Sequence, residues 1–236
     1  KLSISFQTEV PANSGTSPTI SPDGKRVYAM ANGELFALDA NTGKYLWRVP
    51  VNGQAASPSV SPEDILYVLA DDALYAIRGG NGEVVWQNTY HYYAEEQLPE
   101  LPYRFNGLVD GKPLAFIDSI VTVSKNALWT SLMLGYRAEV FDRRFTTAKT
   151  THLVALKPSD GSLIASYPLP DSSEGLISVG PQGQLYLNLL AVHSSSAYSA
   201  GYRWLLPDLA KGSKPQGGLV AFKPKLLSEK PEDPED

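Results

Sequence analysis

An all-β fold of four-stranded antiparallel blades, a β-propeller, is predicted by two repeated segments and their spacing. The stretch Ala37-Leu38-Asp39-Ala40-Asn41-Thr42-Gly43-Lys44-Tyr45-Leu46-Trp47 returns 39 residues later as Ala76 to Trp86. A third copy starts at Ala155 and a fourth at Ala221. The second repeat is Ser17-Pro18-Thr19-Ile20-Ser21-Pro22-Asp23-Gly24, answered by Ser57 to Asp64 and, more loosely, by Val121–Trp129 and Val179–Tyr186. A unit of about 40 residues made of short strands and turns is the sequence signature of a propeller blade.

Each element of the clearest unit has a local reason. Alternating apolar and polar residues predict strands over 17–21, 26–31, 34–39 and 44–49. Asn41-Thr42-Gly43 is the turn between the last two, and Gly43 supplies the positive φ it needs. Asp39 and Thr42 hold that turn, and Trp47 stands at a fixed distance beyond it, placed to bury its indole against the neighbouring blade. Gly82 with Trp86 repeats the device, and Gly161 keeps the turn while Ala165 takes the position of the indole. Blades are expected at about 14–53, 54–93, 114–170 and 174–227, so that 1–227 forms one propeller domain. Lys1–Phe6 aligns with Lys44–Val49, which makes 1–10 an outer strand of another or of the closing blade. Residues 228–236, acidic and Pro-rich, form an expected disordered tail.

The pattern A-x-D-x-x-T-G-x-x-x-W, complete in Ala37–Trp47, resembles the docking motif of PQQ-type propeller repeats. That family includes quinoprotein dehydrogenases and non-enzymatic relatives such as the propeller lipoprotein of the outer-membrane β-barrel assembly machinery. The second copy departs from it by Arg78 at the Asp position. The resemblance covers nearly the whole chain, is specific for fold, and implies an extracytoplasmic, periplasmic or cell-surface setting. Two readings of the ring stay open: four blades closed by the N-terminal strand, or part of a larger ring. The seven or eight blades usual in the family favour the second.

Composition narrows the function classes. The 236 residues suffice for one large all-β core, and no apolar run is long enough to span a bilayer. A formal charge of −5 and pI of 5.3 argue against a nucleic-acid binder. The absence of cysteine excludes disulfides, thiolate metal sites and cysteine catalysis. No signal-peptide pattern and no initiator Met stand at Lys1.

Function enters where the chain departs from its own repeat. Three insertions, about 87–117, 133–151 and 189–217, lengthen the regular unit. The first is a connection from a fourth strand to the next first strand, and the other two join second to third strands. In an antiparallel blade all such connections lie at one end, so the three should rise from one face. They gather Tyr92, Tyr93, Arg143, Phe145, Tyr202 and Trp204, residue types enriched at interface hot spots. These six are the candidate partner-binding residues; the competing role is a local cap over the blades.

The chemistry of an enzyme is poorly represented. His91, His152 and His193 fall towards the insertion end, but none has a partner at metal-ligand spacing. Asp71-Asp72, Glu95-Glu96 and Asp142 lack the spacing of a calcium loop. Ser194-Ser195-Ser196 has no nucleophile elbow around it, and no phosphate loop is present. A quinoprotein dehydrogenase would need PQQ in the ring centre, a calcium ion held by acidic and amide side chains, and a catalytic Asp; many relatives also carry a vicinal disulfide. No set of residues here maps onto that site. No catalytic residue, cofactor or metal is therefore expected. The sequence reads as a scaffold propeller that binds protein partners in a larger complex. A quinoprotein dehydrogenase fragment or relative and a glycan-binding propeller are the alternatives.

Overall fold

Runs rich in Val, Ile, Leu, Tyr and Ala, closed by Pro-Asp-Gly and Asn-Thr-Gly turns, make successive antiparallel hairpins. The computed structural model describes residues 3–10, 16–51, 57–70, 73–100, 109–117, 119–140, 143–173, 176–189 and 217–223. The first blade is β1 (Thr19–Ile20), β2 (Arg26–Ala31), β3 (Glu34–Asp39) and β4 (Tyr45–Pro50), paired in that order. The second is β5 (Ser59–Val60), β6 (Ile65–Ala70), β7 (Ala73–Arg78) and β8 (Val84–Thr89). Gly43 has φ +69°, as the turn reading requires.

A seven-residue helix, α1 (His91–Gln97), and a strand, β9 (Val109–Ile117), precede the third blade. That blade is β10 (Thr122–Val123), β11 (Leu128–Val140), β12 (Arg143–Leu156) and β13 (Leu163–Leu169), with β9 added along β11. The fourth contributes β14 (Ser178–Val179), β15 (Leu185–Leu189) and β16 (Gly218–Phe222). The fold is an all-β propeller arrangement of consecutive blades, and α1 is the one departure from strands among the described elements.

Cores lie between blades, so the middle strands β3, β6 and β7 are buried on both faces. Tyr28, Met30 and Leu35 of the first blade pack on Leu66, Val68 and Ile77 of the second. Tyr67, Leu74 and Ala76 of the second pack with Leu128, Val154 and Leu156 of the third, and Tyr90, Tyr93 and Ala94 join the same cluster. Leu153 and Leu169 of the third meet Ile177, Leu185 and Leu187. The inner strands are stitched as well. Ser59 donates its hydroxyl to Val121 O, and Thr122 donates to Ile177 O.

The second insertion is no loop. Strands β11 and β12 have 13 and 14 residues where β2 and β3 have six. The hairpin thus continues about seven residues, roughly 23 Å, past an ordinary blade. It is in register to its tip at Val140↔Arg143, with one bulge, where Leu134 faces Thr150 and Gly135 faces Ala148. Alternation continues through β11 from Leu132 to Val140, so the ladder has no reason to stop where the repeat does. Strand β9, at the end of the first insertion, pairs with the same extension through Phe116↔Met133, Pro113↔Tyr136 and Val109↔Ala138. The first and second insertions therefore meet in one three-stranded extension, β9-β11-β12. The third leaves its sheet between Leu189 and Gly218, the corresponding end of the fourth blade. The rest of that insertion, the turn residues Asp71-Asp72 and the tail 228–236 lie outside the described residues.

Candidate protein-binding face

The docking motif is built from its turn outward. Asp39 Oδ1 accepts hydrogen bonds from Asn41 N at 3.0 Å, Thr42 N at 2.8 Å and the Thr42 hydroxyl at 2.8 Å. The Thr42 hydroxyl, ahead of the backbone donors, holds the Asp39 carboxyl below the usual carboxylate range. In the second copy, where Arg78 replaces Asp39, an exposed Arg78–Glu83 pair at 3.2 Å spans the turn instead.

The indoles reach the next blade, with their polar edges satisfied. Trp47 Nε1 donates to Gly79 O at 2.9 Å, and its ring covers Gly82 so closely that a Cβ there would sit 2.9 Å from it. Trp86 Nε1 donates to Pro158 O at 3.0 Å and covers Gly161. Both indoles are half-buried rather than mostly buried, because β4 and β8 are outer strands whose far side faces solvent.

The N-terminal segment requires a correction of register. Phe6 covers Gly43, and Thr8 donates to Gly43 O at 2.8 Å. Asn88, two residues past Trp86, donates likewise to Gly161 O. Phe6 thus takes the position of the indole. The alignment of Lys1–Phe6 with Lys44–Val49 had put Ile4 there, and Ile4 is 84% exposed. The spacing aromatic-x-donor, shared by Phe6-x-Thr8 and Trp86-x-Asn88, is the signal that finds the right register.

A second lock between blades was missed altogether. Arg26 Nη2 lies 2.9 Å from Asp64 Oδ2, and the buried Tyr28 hydroxyl donates to Asp64 Oδ1 at 2.7 Å. Arg26 Nε donates to the Tyr28 hydroxyl at 2.9 Å. Burial, ahead of the neighbouring Asp64 carboxylate, pushes the Tyr28 phenol up. Asp64 occupies the place of Gly24 in the first blade and retains its left-handed conformation, at φ +62°.

The candidate partner-binding residues separate into three groups. Tyr92 is 45% exposed on α1. Tyr93, beside it, is 4% exposed and lies among the core residues between the second and third blades. Its hydroxyl pairs with His152 Nδ1 at 2.6 Å and Ser166 Oγ at 2.7 Å. Successive helix residues point about 100° apart, so α1 turns Tyr93 inward and removes it from the contact surface. Arg143 and Phe145 are in β12 at the tip of the extension, with backbone partners Val140 and Ala138. Tyr202 and Trp204 lie outside the described residues.

The extension is anchored to the first insertion. Buried Tyr136 donates its hydroxyl to Pro99 O at 2.6 Å. Arg137 lies over the Phe116 ring, 6.0 Å from its centroid. His91 Nδ1 accepts a hydrogen bond from Ala115 N at 3.3 Å, tying α1 to β9. His91 and His152 are each engaged in these structural bonds. His193 and Asp142 fall outside the described residues, and no cluster of potential metal ligands occurs among the described ones.

His152 gives a pH dependence with a definite sign. It is 7% exposed, and burial lowers its pKa below the usual histidine value. As pH falls below about 6.5 the unfolded chain takes up the proton first. The stability held by the neutral ring is therefore complete above that pH and is lost as pH falls through the lowered folded value. The slope is at most about 1.4 kcal/mol per pH unit. Melting midpoints of the wild type and His152→Gln, compared between pH 7.5 and 5, should converge as pH falls. Parallel curves would show that His152 does not titrate on unfolding.

With this geometry in place, the comparisons with known proteins fall into order. The family model described as outer membrane protein assembly factor BamB matches residues 5–179. The chain belongs to this family of PQQ-repeat propellers. No curated protein matches. Among solved structures, quinohemoprotein alcohol dehydrogenase from Comamonas testosteroni is 13% identical with a TM-score of 0.48, over 75% of this chain and 29% of that one. BamB from Moraxella catarrhalis is 12% identical with a TM-score of 0.32, over 75% of this chain and 80% of that one. The computationally designed Ika4 protein is 12% identical with a TM-score of 0.47, over 78% of this chain and 93% of that one. The chain spans under a third of the dehydrogenase's length. The family holds both non-enzymatic and dehydrogenase members.

Proposed function

We propose that this chain is a non-catalytic, protein-binding propeller of an extracytoplasmic assembly, and that its partner surface is the face carrying the insertions. One observation carries the reading. Two insertions separated in sequence combine into a three-stranded extension, which is rooted in the core between the second and third blades at Ala115 and Leu134 and continues past it to a tip at Val140↔Arg143. Membership of the assembly-factor family supports the same role and setting. Tyr92, Arg143 and Phe145 are the described candidates for anchors, and Tyr202 and Trp204 join them from sequence. No helix among the described residues is long and apolar enough to cross a membrane.

The test replaces residues 137–146, the end of the hairpin, by Asn-Gly, which suits a tight two-residue turn. Point truncations Tyr92→Ala and Phe145→Ala accompany it. Loss of the native complex with a melting temperature close to wild type is the expected result. A true anchor costs about 2 kcal/mol or more of binding, roughly 30-fold. An intact complex with a lowered melting temperature would reduce the insertions to a local cap. Stoichiometric binding of PQQ with calcium would instead favour the dehydrogenase reading.

A further inference from the structure

Strand register sets one row of residues across each blade. In the first it is Thr19, Tyr28, Ala37 and Trp47, and in the second Ser59, Tyr67, Ala76 and Trp86. The row faces the following blade: Tyr28 shares a core with Leu66 and Val68 of the second blade, and Tyr67 with Leu128 of the third. In the fourth blade the row is Ser178, Tyr186 and Ala221. There it is open. Tyr28, Leu35 and Ala37 have no exposed surface, whereas Tyr186 is 38% exposed, Leu219 73%, and Ala221 is exposed. The contacts of the repeat are missing too. Tyr28 lies 5.9 Å from the Trp47 ring and Tyr67 6.0 Å from that of Trp86, but no ring stands so beside Tyr186 among the described residues. Ser59 and Thr122 donate to the following blade, and the exposed Ser178, at the same position, has no such bond among the described residues.

The first blade offers the counterpart. On its face away from the second blade Ile20 is 59% exposed and Val27 half-buried, where the second blade has Val60 half-buried and Leu66 fully buried against the first. Farther out, Tyr45 packs edge-on against buried Phe36 and donates its hydroxyl to Glu9 O. Residues 3–10 are thus seated as a preceding blade's outer strand would be. Phe6 covers Gly43, and Phe6 and Thr8 are half-buried around exposed Gln7, the alternation of Trp47, Arg48 and Val49. Yet the segment belongs to no sheet. Both faces are open in the same molecule, so they do not meet within it. We propose that the fourth blade of one copy docks on the first blade of a second copy, whose residues 3–10 pair with β16. Register then sets Phe6 opposite Ala221 and Gln7 opposite Val220, as Trp47 stands opposite Ala37 and Arg48 opposite Phe36. Phe6 comes beside Tyr186 and restores the ring pair of the first two blades. The new ladder satisfies the edge of β16, and covering Leu219 and Tyr186 supplies the apolar contact. Made at both ends, this head-to-tail contact closes two copies of four blades into one ring of eight, a size propellers adopt.

The chain has no cysteine, so introduced ones report without background. Gln7→Cys and Val220→Cys are made in separate chains, mixed while dilute, concentrated together and oxidised. Opposed residues of antiparallel strands lie about 4.5–5.5 Å apart, within reach of a disulfide. The mixture should give a covalent dimer containing one chain of each variant, and neither variant alone should give one. Sedimentation should find the wild type as a dimer. Leu219→Glu places a charge on a side chain that is exposed in the single copy, so it should weaken the dimer about thirtyfold or more. Its melting temperature at dilutions where both proteins are single should match the wild type. The cysteine pair tests the contact even if that variant fails to fold. A chain carrying both cysteines that cross-links to itself would overturn the proposal, because the ring would then close within one copy. A wild type that stays single and gives no cross-link in the mixture would overturn it, as would a dimer indifferent to Leu219→Glu. Assemblies longer than two copies would overturn the closed ring.

Discussion

Gly161→Ala should lower stability by about 3 kcal/mol or more, far beyond what backbone strain alone would cost. Gly161 has φ +69°, where a Cβ costs about 1–2 kcal/mol. The added Cβ would also lie 2.6 Å from the Trp86 ring. The ring has no free direction to yield, because Trp86 Nε1 is held by Pro158 O, while Asn88 and Tyr90 donate to Gly161 O itself. Displacing the indole would strain three hydrogen bonds and open the core between the second and third blades. Gly24→Ala is the internal control: φ is +72°, yet nothing lies within 4 Å of the added Cβ. It should cost about 1–2 kcal/mol, the backbone cost alone. For a chain of this size about 1 kcal/mol moves the melting temperature by roughly 2–4 °C, so calorimetry separates the two variants readily. Equal losses would show that the indole does not lock the blades.

The contrast between these glycines shows which part of the fold is legible in the sequence. The turn chemistry of Asp39, Thr42 and Gly43 is local, so its residues stand within five positions and can be read directly. Trp47 and Trp86 are legible because they follow the turn glycine at constant spacing. What they cover belongs to another blade, and it appears only when the blades are stacked. Phe6 is hidden for that reason: the similarity of Lys1 to Lys44 points to Ile4, and only the contact with Gly43 defines the position. The repeat ends before the extended hairpin does, although alternation continues from Leu132 onward. Its pairing with β9 joins residues about 20 apart, and no local pattern signals it. At the candidate site, Tyr92 and Tyr93 look equivalent in a loop. The step of about 100° along α1 that separates them is set by packing of Tyr93 and Ala94 between blades, a tertiary cause.

Asp64→Ala should be the other costly substitution, at about 2–4 kcal/mol. Its carboxylate joins two partners from the first blade, the Arg26 guanidinium and the buried Tyr28 hydroxyl. Removing it leaves a phenol with no exposed surface to recover water, beside a cation about one-fifth exposed. Alanine would also have to hold the left-handed conformation, which costs a residue with a Cβ about 1–2 kcal/mol. Gly79 belongs to the same device. Its added Cβ would collide with the Tyr28 hydroxyl and the Asp64 carboxylate, which is why glycine stands where the first blade has Ala40. Asp64→Gly separates the contributions: it relieves the backbone and still loses both partners. It should recover about 1 kcal/mol of the alanine loss, no more. Chemical denaturation of the two variants beside the wild type measures this directly. If Asp64→Gly matches the wild type, backbone conformation rather than the Arg26–Tyr28–Asp64 contact governs the site. If it remains well below, the first two blades are held by two adjoining contacts: the indole of Trp47 on the turn at Gly82, and this carboxylate at the neighbouring turn of the same blade, where Gly79 N donates to Asp64 O.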